Sequence, residues 1–188
     1  TVLVSSGTYT GAGNVDINFF GKALHLLSVS GSSSTTIDLQ DENRSFYFSS
    51  GEDTTSIIDG FTIKNGKVDQ YEGNISNDYG YGGAVYIGDT AYPKFANCRF
   101  EYNESYNRGD AVSIRNGGNA IFENCHFYYN YRTDGSRQGG AVEVHNSSAT
   151  FRGTTFDRNG DYSEYDGGAL FIYSDDEENN NRVDASNS

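Results

Sequence analysis

The sequence predicts an all-β protein: a single-stranded right-handed parallel β-helix, a solenoid of roughly six coils of about 27–30 residues each. Three observations predict this fold. A Gly-Gly-Ala-aliphatic segment recurs at a nearly constant spacing, and a second segment with two phenylalanines follows it. The composition is rich in β-branched and aromatic residues, with 14% aromatic content, and it is poor in strong helix formers.

The first repeated segment starts at intervals of 27, 30 and 28 residues and occurs as Gly82–Ile87, Gly109–Ile114, Gly139–Val144 and Gly167–Ile172. The first and third positions after its alanine are always aliphatic, whereas the position between them is Tyr86, Ser113, Glu143 or Phe171. This alternation with a period of two predicts a strand with one buried face. The variable middle position is predicted to face outward into solvent.

The second repeated segment carries two phenylalanines five residues apart, followed three residues later by an asparagine. An odd spacing places two side chains on one face only if the chain bends between them. The residue at that bend is Asn97, Asn124 or Gly153, and these residue types best tolerate a left-handed backbone. Each coil is therefore predicted to turn a corner at this point.

Equivalent side chains of successive coils should stack about 4.8 Å apart and form columns along the axis. The predicted columns are Phe95–Phe122–Phe151, Phe100–Phe127–Phe156, Cys98–Cys125–Thr154 and the hydrogen-bonded ladder Asn103–Asn130–Asn159. The two cysteines are expected to be free, buried thiols, because parallel side-chain directions disfavour the dihedral angle of a disulfide.

The N-terminal part of the chain fits the repeat more loosely. Phe46 and Phe48 match the aliphatic strand positions, and Ile58–Ile63 matches the second segment, with Asn65 following one residue early. We expect one domain over 1–188, with irregular coils in 1–66, regular coils in 67–172 and an incomplete coil in 173–188. The chain is expected to be a fragment of a longer one.

The motifs Gly-Gly-Ala-aliphatic and Phe-x-x-Asn resemble the repeats of polymorphic outer membrane proteins. Phe100–Asn103, Phe127–Asn130 and Phe156–Asn159 match the second motif in full, whereas Asp110 replaces the second glycine of the first motif in one coil. The resemblance implies a secreted β-helix at the cell surface with an adhesive role.

The segments between each asparagine and the next Gly-Gly vary in length and should emerge at one corner of the coil, as a continuous wall. These loops are 66–81, 104–108, 131–138 and 160–166. Exposed tyrosine beside polar groups suits sugar stacking or protein contact, although the same rings could instead cover the corner of the barrel. The predicted ligand-binding residues are Tyr79, Tyr81, Tyr106, Arg108, Tyr131, Arg132, Arg137, Tyr162 and Tyr165.

The net charge of −13 disfavours nucleic acid and acidic lipid headgroups as partners. No apolar run is long enough for a transmembrane helix, so this segment is not expected to insert into a membrane. No cofactor is expected; Asp161, Glu164 and Asp166 could take Ca²⁺, but a solvated acidic loop fits them better. Glycosylation is left open at the sequons of Asn43, Asn74 and Asn146, whereas the sequon at Asn103 lies in a predicted ladder.

Three functions fit these observations. The first is a non-catalytic, extracellular binding module for a glycan or a protein receptor. The second is a structural subunit whose open solenoid ends self-associate. The third is a polysaccharide lyase or glycoside hydrolase, which needs paired carboxylates; neither such a pair in the strand columns nor the motifs of pectin hydrolases are found in the sequence. We therefore expect a binding protein and not an enzyme.

Overall fold

Three parallel sheets run side by side along the axis of a solenoid in the computed structural model, which describes residues 1–69, 79–131, 140–160, 168–175 and 181–186. Each circuit of the chain adds one strand to each sheet in turn. The predicted right-handed parallel β-helix is therefore confirmed, with six circuits and one further strand among the described residues.

The first sheet has seven strands: β1 (Val2–Val4), β3 (His25–Ser28), β6 (Ile57–Asp59), β10 (Lys94–Ala96), β14 (Asn119–Glu123), β17 (Ser148–Arg152) and β20 (Arg182–Ser186). The second has six: β2 (Gly7–Tyr9), β4 (Thr35–Asp38), β7 (Thr62–Lys64), β11 (Arg99–Glu101), β15 (His126–Tyr128) and β18 (Thr155–Asp157). The third has five: β5 (Phe46–Phe48), β9 (Val85–Ile87), β13 (Val112–Ile114), β16 (Val142–His145) and β19 (Leu170–Tyr173).

Two short strands, β8 (Lys67–Val68) and β12 (Glu104–Ser105), pair at the corner between the second and third sheets. Ile17 extends the third sheet by one bridge to Phe46, so the loosely matching N-terminal coil takes part in the solenoid. A single 3₁₀ turn, Ala12–Asn14, is the only helical element in the described part of the chain. No helix there is long and apolar enough to cross a membrane.

The predicted phenylalanine columns fill the interior. Phe95 pairs with Phe122, and Phe122 pairs with Phe151, with stacked rings whose centroids lie 5.4 and 5.2 Å apart. The column Phe100–Phe127–Phe156 is stacked at 4.6 and 4.8 Å. Both columns are confirmed, because one residue per circuit repeats at the same position of the same sheet.

The predicted asparagine ladder and the free thiols are also confirmed. The Nδ2 group of Asn103 donates to Oδ1 of Asn130 at 2.9 Å, and Nδ2 of Asn130 donates to Oδ1 of Asn159 at 2.9 Å. Asn103 is fully buried, which removes its sequon from solvent. Cys98 and Cys125 are free and buried, and burial together with the neighbouring Cys98 raises the pKa of Cys125 well above its usual value.

The bend inside the second segment lies where it was predicted, with φ of 52° at Asn97, 51° at Asn124 and 55° at Gly153. A second corner follows, and the sequence did not indicate it. Tyr102, Tyr129 and Arg158 adopt φ of 54°, 51° and 52° there, and Asn65 takes the same position one coil earlier. Gly66, and not Asn65, is the residue in line with the ladder: its N–H donates to Oδ1 of Asn103 at 2.9 Å.

Candidate functional site

The outer face of the third sheet carries the variable column of the first repeated segment. Tyr47, Tyr86, Ser113, Glu143 and Phe171 lie in register on successive strands. Apart from Ile172 in the last circuit, the residues that flank them belong to the core or pack against it, so this column does point away from the interior. The expected exposure to solvent is wrong, however, because Tyr86, Ser113 and Glu143 are fully buried. A second layer of side chains covers the sheet.

The C-terminal half of this face holds a buried ion pair. Glu143 accepts hydrogen bonds from Oγ of Ser113 at 2.5 Å and from Nη1 of Arg115 at 2.6 Å. Arg115 also donates to the hydroxyl of Tyr173 at 3.1 Å, and its guanidinium lies 3.9 Å from the ring centroid of Tyr81. We call these five residues the Glu143 cluster.

The charges of the Glu143 cluster are internally matched. Burial disfavours the charge of Arg115, but Glu143, Tyr173 and Tyr81 together outweigh burial and raise the pKa of the guanidinium. Burial, reinforced by the charge of Glu143, raises the pKa of Tyr173 to about 12. A carboxylate that is enclosed and paired in this way contacts the protein and not a ligand, so the cluster supports the sheet.

Two predicted wall residues lie at this cluster: Tyr81 is a member of it, and Arg108 lies beside it. Tyr81 and Arg108 form a parallel bridge, and the Arg108 guanidinium lies 4.9 and 4.4 Å from the ring centroids of Phe171 and Tyr173. Both wall residues are half-buried. This half-burial fits the alternative in which such side chains cover the corner of the coil. It fits the prediction of an exposed binding surface equally well.

The N-terminal half of the face is open and forms a cleft of about 360 Å³. The rings of Tyr47 and Tyr86 stack at 5.1 Å, and the buried Arg44 guanidinium lies 5.6 and 5.5 Å from their centroids. This aromatic cleft includes one predicted wall residue, Tyr79. Its lining is Asp16, Asn18, Phe20, Asn43, Arg44, Tyr47 and Tyr79.

A second cleft of about 270 Å³ shares Asn43 and Tyr79 with the aromatic cleft. Its other lining residues are mostly charged: Asp41, Glu42, Lys67, Val68 and Asp69. We call it the acidic cleft. The two clefts are adjacent because they share two side chains, and we refer to them together as the groove.

Phe20 is the most unusual residue of the groove. Its side chain is 71% exposed, and its backbone has a φ of 53°, in the left-handed region. Its N–H is bonded to Oδ1 of Asn18 at 2.6 Å, which holds this turn. A left-handed backbone costs a residue other than glycine about 1–2 kcal/mol. Neither core packing nor backbone preference explains a phenylalanine at this position.

Asp16 contacts two other lining residues of the aromatic cleft, Arg44 and Asn43. Its carboxylate lies 3.5 Å from Nε of Arg44 and accepts a hydrogen bond from Nδ2 of Asn43 at 2.9 Å. Burial raises the pKa of Asp16, and Arg44 opposes this shift. The side chain of Asn43, one of the sequon residues, is therefore already engaged inside the groove.

The remaining predicted site residues do not join this groove or lie outside the described residues. Tyr106 and Tyr131 are half-buried, and their backbone N–H groups donate to Val68 and Asn103. Arg132, Arg137, Tyr162, Tyr165, the sequon residue Asn74 and the acidic set Asp161, Glu164 and Asp166 all lie outside the described part of the chain. Within that part, no group of three or more potential metal ligands is found.

The sequence reasoning missed Phe20, Asn18 and Tyr47. One signal for Phe20 was available: two adjacent phenylalanines, Phe19 and Phe20, cannot both face the core of a β-helix strand. Phe19 is buried and packs against Phe46 and Phe48, which leaves Phe20 outside.

The groove lies on a fold that is found in enzymes and in proteins without catalytic activity. Neither the curated proteins nor the solved structures that were searched include a match to this chain. The right-handed β-helix region, as a protein family, matches residues 8–186, which is almost the whole chain. The chain therefore belongs to the right-handed β-helix family.

Proposed function

We propose that this chain is a non-catalytic extracellular binding module that holds a glycan in the aromatic cleft. The observation that carries the proposal is Phe20, an exposed ring kept at an unfavourable backbone conformation beside Tyr47 and Tyr79. Aromatic rings pack against the apolar faces of sugars, while nearby polar groups bind hydroxyls. Asn18, Asn43 and Asp16 supply such polar groups within the same cleft.

Screening on a glycan array, followed by titration calorimetry with the best ligand, tests this proposal. The variant Phe20→Asn removes the ring and installs a residue that tolerates a left-handed backbone. We expect it to weaken binding at least about tenfold. Its thermal stability should stay equal to that of the parent protein or rise.

A matched control is Val29→Asn, which removes another exposed apolar side chain that does not line the groove. It should leave glycan affinity unchanged. Failure of every glycan to bind would overturn the proposal, and so would a Phe20→Asn variant with undiminished affinity.

One observation favours a second candidate function, polysaccharide hydrolysis. Asp16 has a raised pKa and shares the groove with the carboxylates of Asp41 and Glu42. Glycosidases use such a pair of carboxyl groups, one protonated and one ionised. New reducing ends released from a bound polysaccharide, and lost in Asp16→Asn, would establish this function in place of simple binding.

A further inference from the structure

The two halves of the groove differ in chemistry, and this difference bears on the class of sugar that fits it. The aromatic cleft presents Phe20, Tyr47 and Tyr79, whereas the acidic cleft presents Asp41, Glu42 and Asp69. The three carboxylate residues of the acidic cleft are exposed. A ligand that stacks on the rings therefore brings its substituents next to negative charge.

The cations of the groove are already engaged. Arg44 is buried, lies 3.5 Å from Asp16 and packs over the rings of Tyr47 and Tyr86. Nζ of Lys67 lies 3.4 Å from Oε2 of Glu104. The lining as a whole holds four carboxylates and two cations. An anionic sugar would meet net repulsion here, strengthened by the overall charge of −13.

The pKa shift of Lys67 indicates that the electrostatic potential around its ammonium group is negative. Burial lowers the pKa of its ammonium, but Glu104, Asp69 and Asp41 outweigh burial and raise it. Asp69 and Asp41 of the acidic cleft thus add to the stabilisation that Glu104, outside the lining of the cleft, gives to the ammonium group of Lys67. The cleft also presents exposed carboxylates to a second ammonium group.

We infer that the groove selects an oligosaccharide that carries free amino groups, with sugar rings on Phe20, Tyr47 and Tyr79 and an ammonium group against Asp41, Glu42 and Asp69. This inference rests on the proposed function and specifies its ligand. It runs opposite to uronate recognition, which would need unpaired cations in the groove.

Calorimetry with three oligosaccharides of equal length tests it: a glucosamine oligomer, its fully N-acetylated form and a galacturonate oligomer. The glucosamine oligomer, measured at a pH where its amines are protonated, should bind at least about fivefold more tightly than the acetylated form. Raising the salt concentration from about 0.05 to about 0.5 M should remove most of this preference, because exposed charges are screened.

The variant Asp41→Asn/Glu42→Gln should lose the preference for amines and keep the affinity for the acetylated oligomer. Asp157→Asn/Asp184→Asn is the matched control: it makes the same change in net charge at two exposed aspartates that do not line the groove, and it should keep the preference.

The outcomes separate the two proposals. If none of the oligosaccharides binds and the glycan array is also blank, the proposed function fails and this inference fails with it. If sugars bind with equal affinity in the amine and acetylated forms, or if galacturonate binds most tightly, only the amine inference is overturned.

Discussion

Replacing Asn130 by alanine removes the central rung of the asparagine ladder. Oδ1 of Asn130 accepts from the backbone N–H of Asn103 at 3.1 Å and from its Nδ2 at 2.9 Å. Nδ2 of Asn130 donates to the carbonyl of Phe100 at 2.8 Å and to Oδ1 of Asn159 at 2.9 Å. Asn103, Asn130 and Phe100 are all fully buried, so water cannot replace these partners.

The expected loss follows from the groups that remain unpaired. A buried polar group deprived of its partner costs about 1–3 kcal/mol, and the change affects the Asn103 N–H, the Asn103 amide and the Phe100 carbonyl. The Asn103 amide keeps a weaker hydrogen bond to the carbonyl of Ile63 at 3.2 Å. The summed cost of the three groups should therefore lie near the low end of its range. We expect Asn130→Ala to lower the free energy of unfolding by about 3–4 kcal/mol.

Urea unfolding followed by circular dichroism measures this loss, with Asn159→Ala as the control. Asn159 makes the same kinds of hydrogen bond, to the buried Asn130 and Phe127, but its own side chain is only half-buried. Asn159→Ala therefore opens a path by which water can reach these groups, and the loss should be about half as large. A loss below about 1 kcal/mol for Asn130→Ala, or equal losses for both variants, would refute the view that the buried ladder stabilises the solenoid.

Three further predictions concern single positions. Glu143→Gln leaves Arg115 with an unmatched buried charge and should cost about 3–5 kcal/mol in urea unfolding, whereas the double variant Glu143→Met/Arg115→Met should recover most of it; strictly additive losses would contradict this. Lys94, and then Arg152, hold the pKa of Glu123 below its usual value. The parent protein should therefore be more stable than Glu123→Gln at neutral pH. The difference in their free energies of unfolding should shrink as the pH falls from about 4.3 towards the lowered pKa of Glu123, and a difference that persists in acid would argue against this. Asn124→Gly should change the melting temperature little, whereas Asn124→Val should cost about 1–2 kcal/mol; equal melting temperatures would show that the bend is not strained.

The regular coils could be predicted because their side chains repeat at nearly fixed intervals. The spacing of 27 residues between Phe95 and Phe122, or between Cys98 and Cys125, sets the register of neighbouring circuits without any knowledge of the backbone. Asparagine and glycine at the first corner also have a direct conformational signature. These features depend on local residue type and on periodicity, which the sequence displays directly.

The second corner could not be predicted in the same way. Tyr102, Tyr129 and Arg158 are not residues that favour a left-handed backbone, so their φ values are imposed by the circuit around them. Tyr102 and Tyr129 stack on each other at 5.7 Å, and Arg158 packs over Tyr129, which offsets part of the strain. Only Asn65, in an earlier coil, has a residue type typical of that corner.

The candidate site was predicted only in part for a related reason. Tyr79 was identified from the composition of its loop, but its neighbours Asp16, Phe20 and Asn43 come from coils whose register is weak in the sequence. The burial of Glu143 was missed because a charged residue at a variable strand position normally faces water. Its hydrogen-bond partners Arg115 and Ser113 lie 28 and 30 residues away, on the preceding circuit.

In all three sheets, from the pair Val85–Val112 through Phe95–Phe122 to Phe100–Phe127, the strands of two neighbouring circuits are offset by 27 residues. Removing or duplicating one such unit would leave all the columns continuous. The rod can thus change its length in steps of about 4.8 Å. The groove is formed by the first three circuits. Each added unit would therefore increase the distance between the groove and the far end of the rod, and the shape of the groove would stay the same.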